Sequence, residues 1–103
     1  MSAIERRETQ MVAGTHPCLP GHFPGVPIVP AVVLLERVHH VLQRALGAPV
    51  RMAGLPAVKF VRPISPGTSF EIELQVDAAA RSARFRIAAG GQDCVTGRVD
   101  YRE

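Results

Sequence analysis

At 103 residues, 47% of them hydrophobic, the chain is expected to be one domain spanning 1–103 with a real but small core. Its net charge of +3, carried by scattered arginines and Lys59, favours an acidic partner, but no nucleic-acid motif accompanies it, so nucleic acid is excluded. Cys18 and Cys94 form no CxxC pair, the N-terminus MSAIERRETQ has no apolar h-region, and the apolar run Ile28–Leu35 is too short for a bilayer, so a reduced, cytoplasmic protein without a membrane span is expected.

Residues 3–13 (AIERRETQMVA) read as a first strand with weak alternation. Residues 14–29 are rich in Gly and Pro and read as an ordered loop or turn. Pro30 suits the first position of a helix, where its missing N–H costs nothing. Apolar residues at 31, 34, 35, 38, 41, 42 and 45 have a helical period from Ala31 to Leu46, and Gly47 and Pro49 stop it. Val32 and Val33 make the helix start apolar on nearly every side, which describes a central, wrapped helix.

A short connection, about residues 47–54, leads to strands at 57–62 (AVKFVR), 70–77 (FEIELQVD), 83–89 (ARFRIAA) and 94–101 (CVTGRVDY). PISPG turns the chain between the first two, and Gly90-Gly91 makes a hairpin between the last two. One strand, one long helix and four antiparallel strands form an α+β layout, a helix against a curled antiparallel sheet.

The chemistry concentrates in LPGHFPGVPIVPAVVLLE, from Leu19 to Glu36. A histidine in a loop is more often structural, but His22 sits among residues of restricted backbone, and a rigid loop can aim a side chain at a substrate. Glu36 lies opposite the main apolar stripe, yet Val32 and Val33 share its side one turn earlier. That half-apolar setting suits a general acid. The helix start at Pro30-Ala31 adds free N–H groups that stabilise negative charge on a carbonyl oxygen. Base, acid and oxyanion donor in one stretch suit proton abstraction beside a carbonyl.

Other combinations are weaker. His16, Cys18 and His22 are interrupted by Pro17 and Pro20 and complete no tetrahedral set, so no metal is expected. Cys18 reads as a small buried apolar residue rather than a nucleophile. His39 and His40 read as surface residues of the helix.

The run His22-Phe23-Pro24-Gly25-x-Pro27-x-x-Pro30, followed by Leu34-Leu35-Glu36, closely resembles the active-site segment of the FabA/FabZ-type β-hydroxyacyl-acyl carrier protein dehydratases. The segment LPAVKFVRPISPG, Leu55 to Gly67, is similar to the same family's second-strand region. The likeness extends from about residue 14 to residue 101. It implies a hot-dog fold, with the long helix as sausage and the antiparallel sheet as bun. It also implies a homodimer with shared active sites, or a higher or hetero-oligomer, and an acyl carrier protein bearing a 3-hydroxyacyl chain as partner.

Carried over residue by residue, the resemblance makes His22 the base for the α-proton. Glu36 of the partner subunit helps the β-hydroxyl leave as water. The Ala31 amide bonds the thioester carbonyl and the Ile28 carbonyl orients the imidazole, with Gly25, Pro30 and His40 in support. Lys59 and Arg62 are the choices for carrier-protein docking. Leu34, Phe60 and Phe85 bear on tunnel depth. The implied activity, loss of water from a 3-hydroxyacyl thioester to give the trans-2-enoyl thioester, requires no cofactor.

Two departures are visible: the family usually has glycine where this chain has Ala31, and FabZ-type enzymes carry glutamine where it has His40. The short chain looks like compact dehydratases of polyketide or aryl-polyene-type pathways. Competing activities are a hot-dog acyl thioesterase and a non-catalytic hot-dog subunit that binds a carrier protein or a larger dehydratase.

Overall fold

The computed structural model describes residues 3–14 and 28–103. The elements run β1 (Ala3–Gln10), α1 (Ala31–Leu46), β2 (Arg51–Phe60), β3 (Phe70–Asp77), β4 (Ser82–Ala89) and β5 (Gln92–Arg102). The strands form one five-stranded antiparallel sheet in the order β1-β3-β4-β5-β2, so the connection through α1 carries the chain from one sheet edge to the other. With the helix packed on one face, this is the α+β hot-dog architecture. Most of the Gly/Pro loop, including His16, Cys18, His22 and Gly25, lies outside the described residues.

The alternation of β3 turns Phe70, Ile72, Leu74 and Val76 towards the helix and leaves Glu71, Glu73, Gln75 and Asp77 on the outer face. In β4, Ala83, Phe85 and Ile87 join the same core. Each large side chain fully buried there contributes roughly 1.5–3 kcal/mol. Gly90 and Gly91, with φ of 58° and 77°, close the β4–β5 hairpin in the doubly positive-φ turn that glycine accepts at no steric cost.

The helix spans the expected residues, but Pro30 stands just before it as the N-cap, with ψ of 147°, rather than as its first residue. The Pro30 carbonyl accepts from Val33 N–H at 3.0 Å and Leu34 N–H at 3.3 Å. Gly47, in the left-handed region at φ 68°, ends the helix and donates to the Gln43 carbonyl at 2.8 Å. The buried set is Val33, Leu34, Val38, Val41 and Leu42. Ala31 is exposed, Leu35 and Ala45 are half-buried, and Val32 is 67% exposed, so one chain does not enclose the helix start.

Two strands depart from expectation. β2 runs Arg51–Phe60 rather than 57–62, which cuts the connection after the helix to residues 47–50 and leaves Val61 and Arg62 beyond the strand. Gly54 and Pro56 hide it, because the pairing with β5 shifts register on both sides of Gly54 and no clean alternation results. Pro56 is tolerated because β2 is an edge strand. β1 stops at Gln10, and its alternation is weak because its helix-facing row is polar. There Glu8 accepts from Arg44 Nε at 2.8 Å, Arg44 Nη2 at 2.7 Å and Arg6 Nε at 2.7 Å, while Gln10 Oε1 accepts from Arg37 at 3.0 Å. An ion-pair latch holds this edge to the helix, with Ile4 the one apolar residue of the row packed against the core.

Gly97 sits opposite Phe85 in the β4–β5 pairing and faces β2. A Cβ added at Gly97 meets the Ala57 carbonyl oxygen at 2.5 Å and the Phe85 ring at 2.7 Å. Gly97→Ala is therefore expected to cost about 1–3 kcal/mol in urea unfolding, with part of the loss recovered when Phe85→Leu is added. Unchanged stability in the single variant would contradict this packing.

The Glu8 carboxyl is held down at about 2, against an ordinary 4.5, chiefly by the hydrogen bond from Arg44, with Arg6 adding to it against the opposing effect of burial. A depressed carboxylate contributes stability above its unfolded-state pKa and loses it as pH falls towards the folded value. The stability gap between wild type and Glu8→Gln should thus be full above about pH 4.5 and vanish near pH 2. Denaturant titrations at each pH measure it.

Candidate functional site

Two apolar clefts flank the first turns of α1, and each uses a different end of β2. The first, about 310 Å³, is lined by Ile28, Pro30, Ala31, Leu34, Phe60, Val61 and Arg62, with Pro63 and Ile64 behind them. Its walls are fixed where Val29 N–H donates to the Ile64 carbonyl at 2.8 Å, tying the helix entry to the segment after β2. Val61 and Arg62 N–H groups both donate to the Cys94 carbonyl, at 2.8 and 3.2 Å, as the chain leaves the sheet. Ala31, the first helical residue, is one of the positions whose N–H has no intrahelical acceptor, so its amide is a free donor at the positive end of the helix dipole.

The second cleft, about 370 Å³, is lined by Val32, Leu35, Glu36, His39, Met52, Gly54 and Leu55. Glu36 is exposed, and no described residue is hydrogen-bonded to its carboxylate. His39 is half-buried, and its Nε2 lies 2.7 Å from the Val50 carbonyl. The Val50 N–H donates in turn to Gln43 Oε1 at 3.1 Å, so two helix residues grip the peptide just before β2. This clip holds Met52–Leu55 against the helix and forms the cleft.

The sequence-predicted residues are thereby separated. Ile28, Pro30 and Ala31 line the first cleft, while Glu36 lines the second. His22 and Gly25 lie outside the described residues. His40 is exposed, is not hydrogen-bonded to Glu36, and does not line either cleft. Arg62 reaches the first cleft and Lys59 is exposed on β2; neither forms an ion pair with a described residue. Leu34 and Phe60 line the first cleft, but Phe85 is buried beneath Gly97 and does not reach it.

His39 is the site residue that sequence reasoning missed. Its spacing of i+3 from Glu36 was visible; its anchor on Val50, in a short connection, was not. A further hollow of about 530 Å³ on the outer sheet face is a lattice of exposed ion pairs, Arg7–Glu73 at 3.1 Å and Arg86 with Glu73 and Asp93, and gathers no chemistry.

Comparison with known proteins fits this layout. The family described as ApeI-like, ApeI dehydratase, matches residues 5–98. The chain belongs to that family of hot-dog dehydratases. Among its relatives, the 3-hydroxyacyl-[acyl-carrier-protein] dehydratase FabZ of Haemophilus influenzae (strain PittEE) is 34% identical over 73 residues, 63% of this chain and 49% of that protein. FabZ of Thermomicrobium roseum is 35% identical over 78 residues, 69% of this chain and 52% of the relative. The ApeI-like chain thus spans about half the length of the curated relatives it matches. Solved structures with the same fold include the dehydratase heterocomplex ApeI:P from Xenorhabdus doucetiae, with a TM-score of 0.88 at 24% identity over 97% of this chain and 88% of that one. The (R)-hydratase from A. caviae gives a TM-score of 0.76 at 17% identity over 96% and 94%. No helix among the described residues is long and apolar enough to cross a membrane.

Proposed function

We propose that the protein is a 3-hydroxyacyl-[acyl carrier protein] dehydratase whose active sites are each built from two subunits. The observation that carries this is the division of the site. Ala31, with its free amide, and Ile28 line a cleft at the Phe60 end of β2, and Glu36 lines a cleft at the Met52 end. β2 is an edge strand. Antiparallel pairing of β2 with the same strand of a second copy sets the Phe60 end of one beside the Met52 end of the other. Each Ala31 cleft then meets a partner's Glu36 cleft, and the two-fold axis makes two equivalent sites.

In the reaction, the acyl carbonyl accepts the Ala31 amide, and the helix dipole stabilises the charge that develops on its oxygen. His22 takes the α-proton, the Cβ–O bond breaks, and the partner subunit's Glu36 gives its proton to the departing oxygen. The products are water and the trans-2-enoyl thioester. The thioester itself acidifies the α-carbon, so acid and base suffice. Lys59 and Arg62, beside the first cleft, supply positive charge for an acidic carrier protein. A second reading has some support: ApeI:P is a heterocomplex, so the subunit paired on β2 could be a different hot-dog chain. Activity only after mixing with such a chain would decide for it, and release of free acid would decide for a thioesterase.

Incubation with 3-hydroxyacyl thioesters should give a product lighter by one water. His22→Ala and Glu36→Gln should each lower kcat by roughly 10²–10⁴. Ala31→Pro removes the N–H at a position where proline fits a helix start, so the fold should be kept while kcat falls by roughly 10²-fold or more. Full activity in both His22→Ala and Glu36→Gln would overturn the assignment.

A further inference from the structure

Among the described residues Glu36 has one titratable companion in its cleft, His39; the other described lining side chains are apolar or absent. The His39 ring is held in a defined state. A carbonyl oxygen only accepts, so Nε2, 2.7 Å from the Val50 carbonyl, carries the hydrogen, and Nδ1 of the neutral ring is left with its lone pair free. Val50 is itself fixed by its N–H on Gln43 Oε1, so the ring cannot swing without breaking the clip. At i and i+3 on one helix face, Glu36 and His39 have Cβ atoms about 5–6 Å apart.

The charged neighbours of His39 are few. On the helix they are Glu36 and His40, the latter with its ring centroid 6.1 Å away and its side chain exposed. From β2, the facing segment Met52–Leu55 brings no titratable group, and Arg51 precedes it in the row paired with Arg102.

We propose that His39 acts through Glu36 as a positioning residue that returns its proton after each elimination; this rests on the dehydratase reading. When Glu36 protonates the departing oxygen, it is left as a carboxylate in a cleft that the paired subunit covers. The imidazolium of His39 passes its Nδ1 proton to Glu36, and the neutral ring then takes a proton from solvent. His22 releases the α-proton separately, so the cycle yields only enoyl thioester and water. The Nε2–H bond to Val50 can be made in both protonation states, so the ring keeps its anchor through the cycle.

The test compares His39→Gln, which keeps a donor for Val50 but cannot titrate, with His39→Leu, which loses both. Rates on a 3-hydroxyacyl thioester are measured from about pH 6 to 9, with and without imidazole buffer. For His39→Gln the expected result is wild-type melting and KM, a kcat lowered about tenfold, and a rate that rises with imidazole concentration, as the wild-type rate does not. His39→Leu should lose stability as well as rate. A wild-type kcat in His39→Gln across that range, or a loss that imidazole leaves unchanged, overturns the relay. If Glu36→Gln is inactive while His39→Gln is normal, only the relay falls; if Glu36→Gln is fully active, the dehydratase reading falls with it.

Discussion

A helix start that is apolar on nearly every side must be covered from more than one direction, and a single sheet covers only one. The five strands bury Val33, Leu34, Val38, Val41 and Leu42, while Val32 remains 67% exposed. The uncovered apolar surface continues along β2, where Leu55 is 41% and Phe60 51% exposed. Exposed apolar side chains on the helix start and on an edge strand are consistent with the pairing proposed for β2. The clefts flank the helix start, one at the Phe60 end of β2 and the other at the Met52 end.

The placement of polar groups follows from the same geometry. Few polar side chains line either cleft, and among them His39 is held by a backbone anchor rather than by an ionic network. The Val29–Ile64 bond fixes the helix entry, and the Val50 peptide, gripped by His39 and Gln43, fixes the start of β2. The ion pairs among the described residues lie outside the clefts, mostly on the outer sheet face and at the Glu8–Arg44 latch that holds β1. Polar groups in an apolar, water-poor cleft interact more strongly with a substrate than they would in water.

Much of the fold was legible because local signals agreed. The period of α1, its Gly47 stop, the alternation of Phe70–Asp77 and the Gly90-Gly91 hairpin each mark the element found there. β2 was half hidden, since Gly54 and Pro56 break the alternation that an edge strand can do without. β1 was weak for another reason: its inward row, Arg6, Glu8 and Gln10, satisfies itself with helix arginines, a pairing that no periodicity reveals. Of the candidate residues, Glu36 and Ala31 stand out from their spacing, but their separation into two clefts depends on where β2 ends. His39 depends on a carbonyl eleven residues away, which becomes a neighbour only once the connection is folded.

In the proposed dehydratase, Glu36 completes a site on another subunit. Mixing two inactive proteins, His22→Ala and Glu36→Gln, after joint denaturation and refolding tests it most directly. Shared sites leave one intact site in each mixed dimer, so activity should return to about a quarter of the wild-type value at equal total protein. Sites completed within one chain would leave the mixture as inactive as its components, and that result would contradict the account.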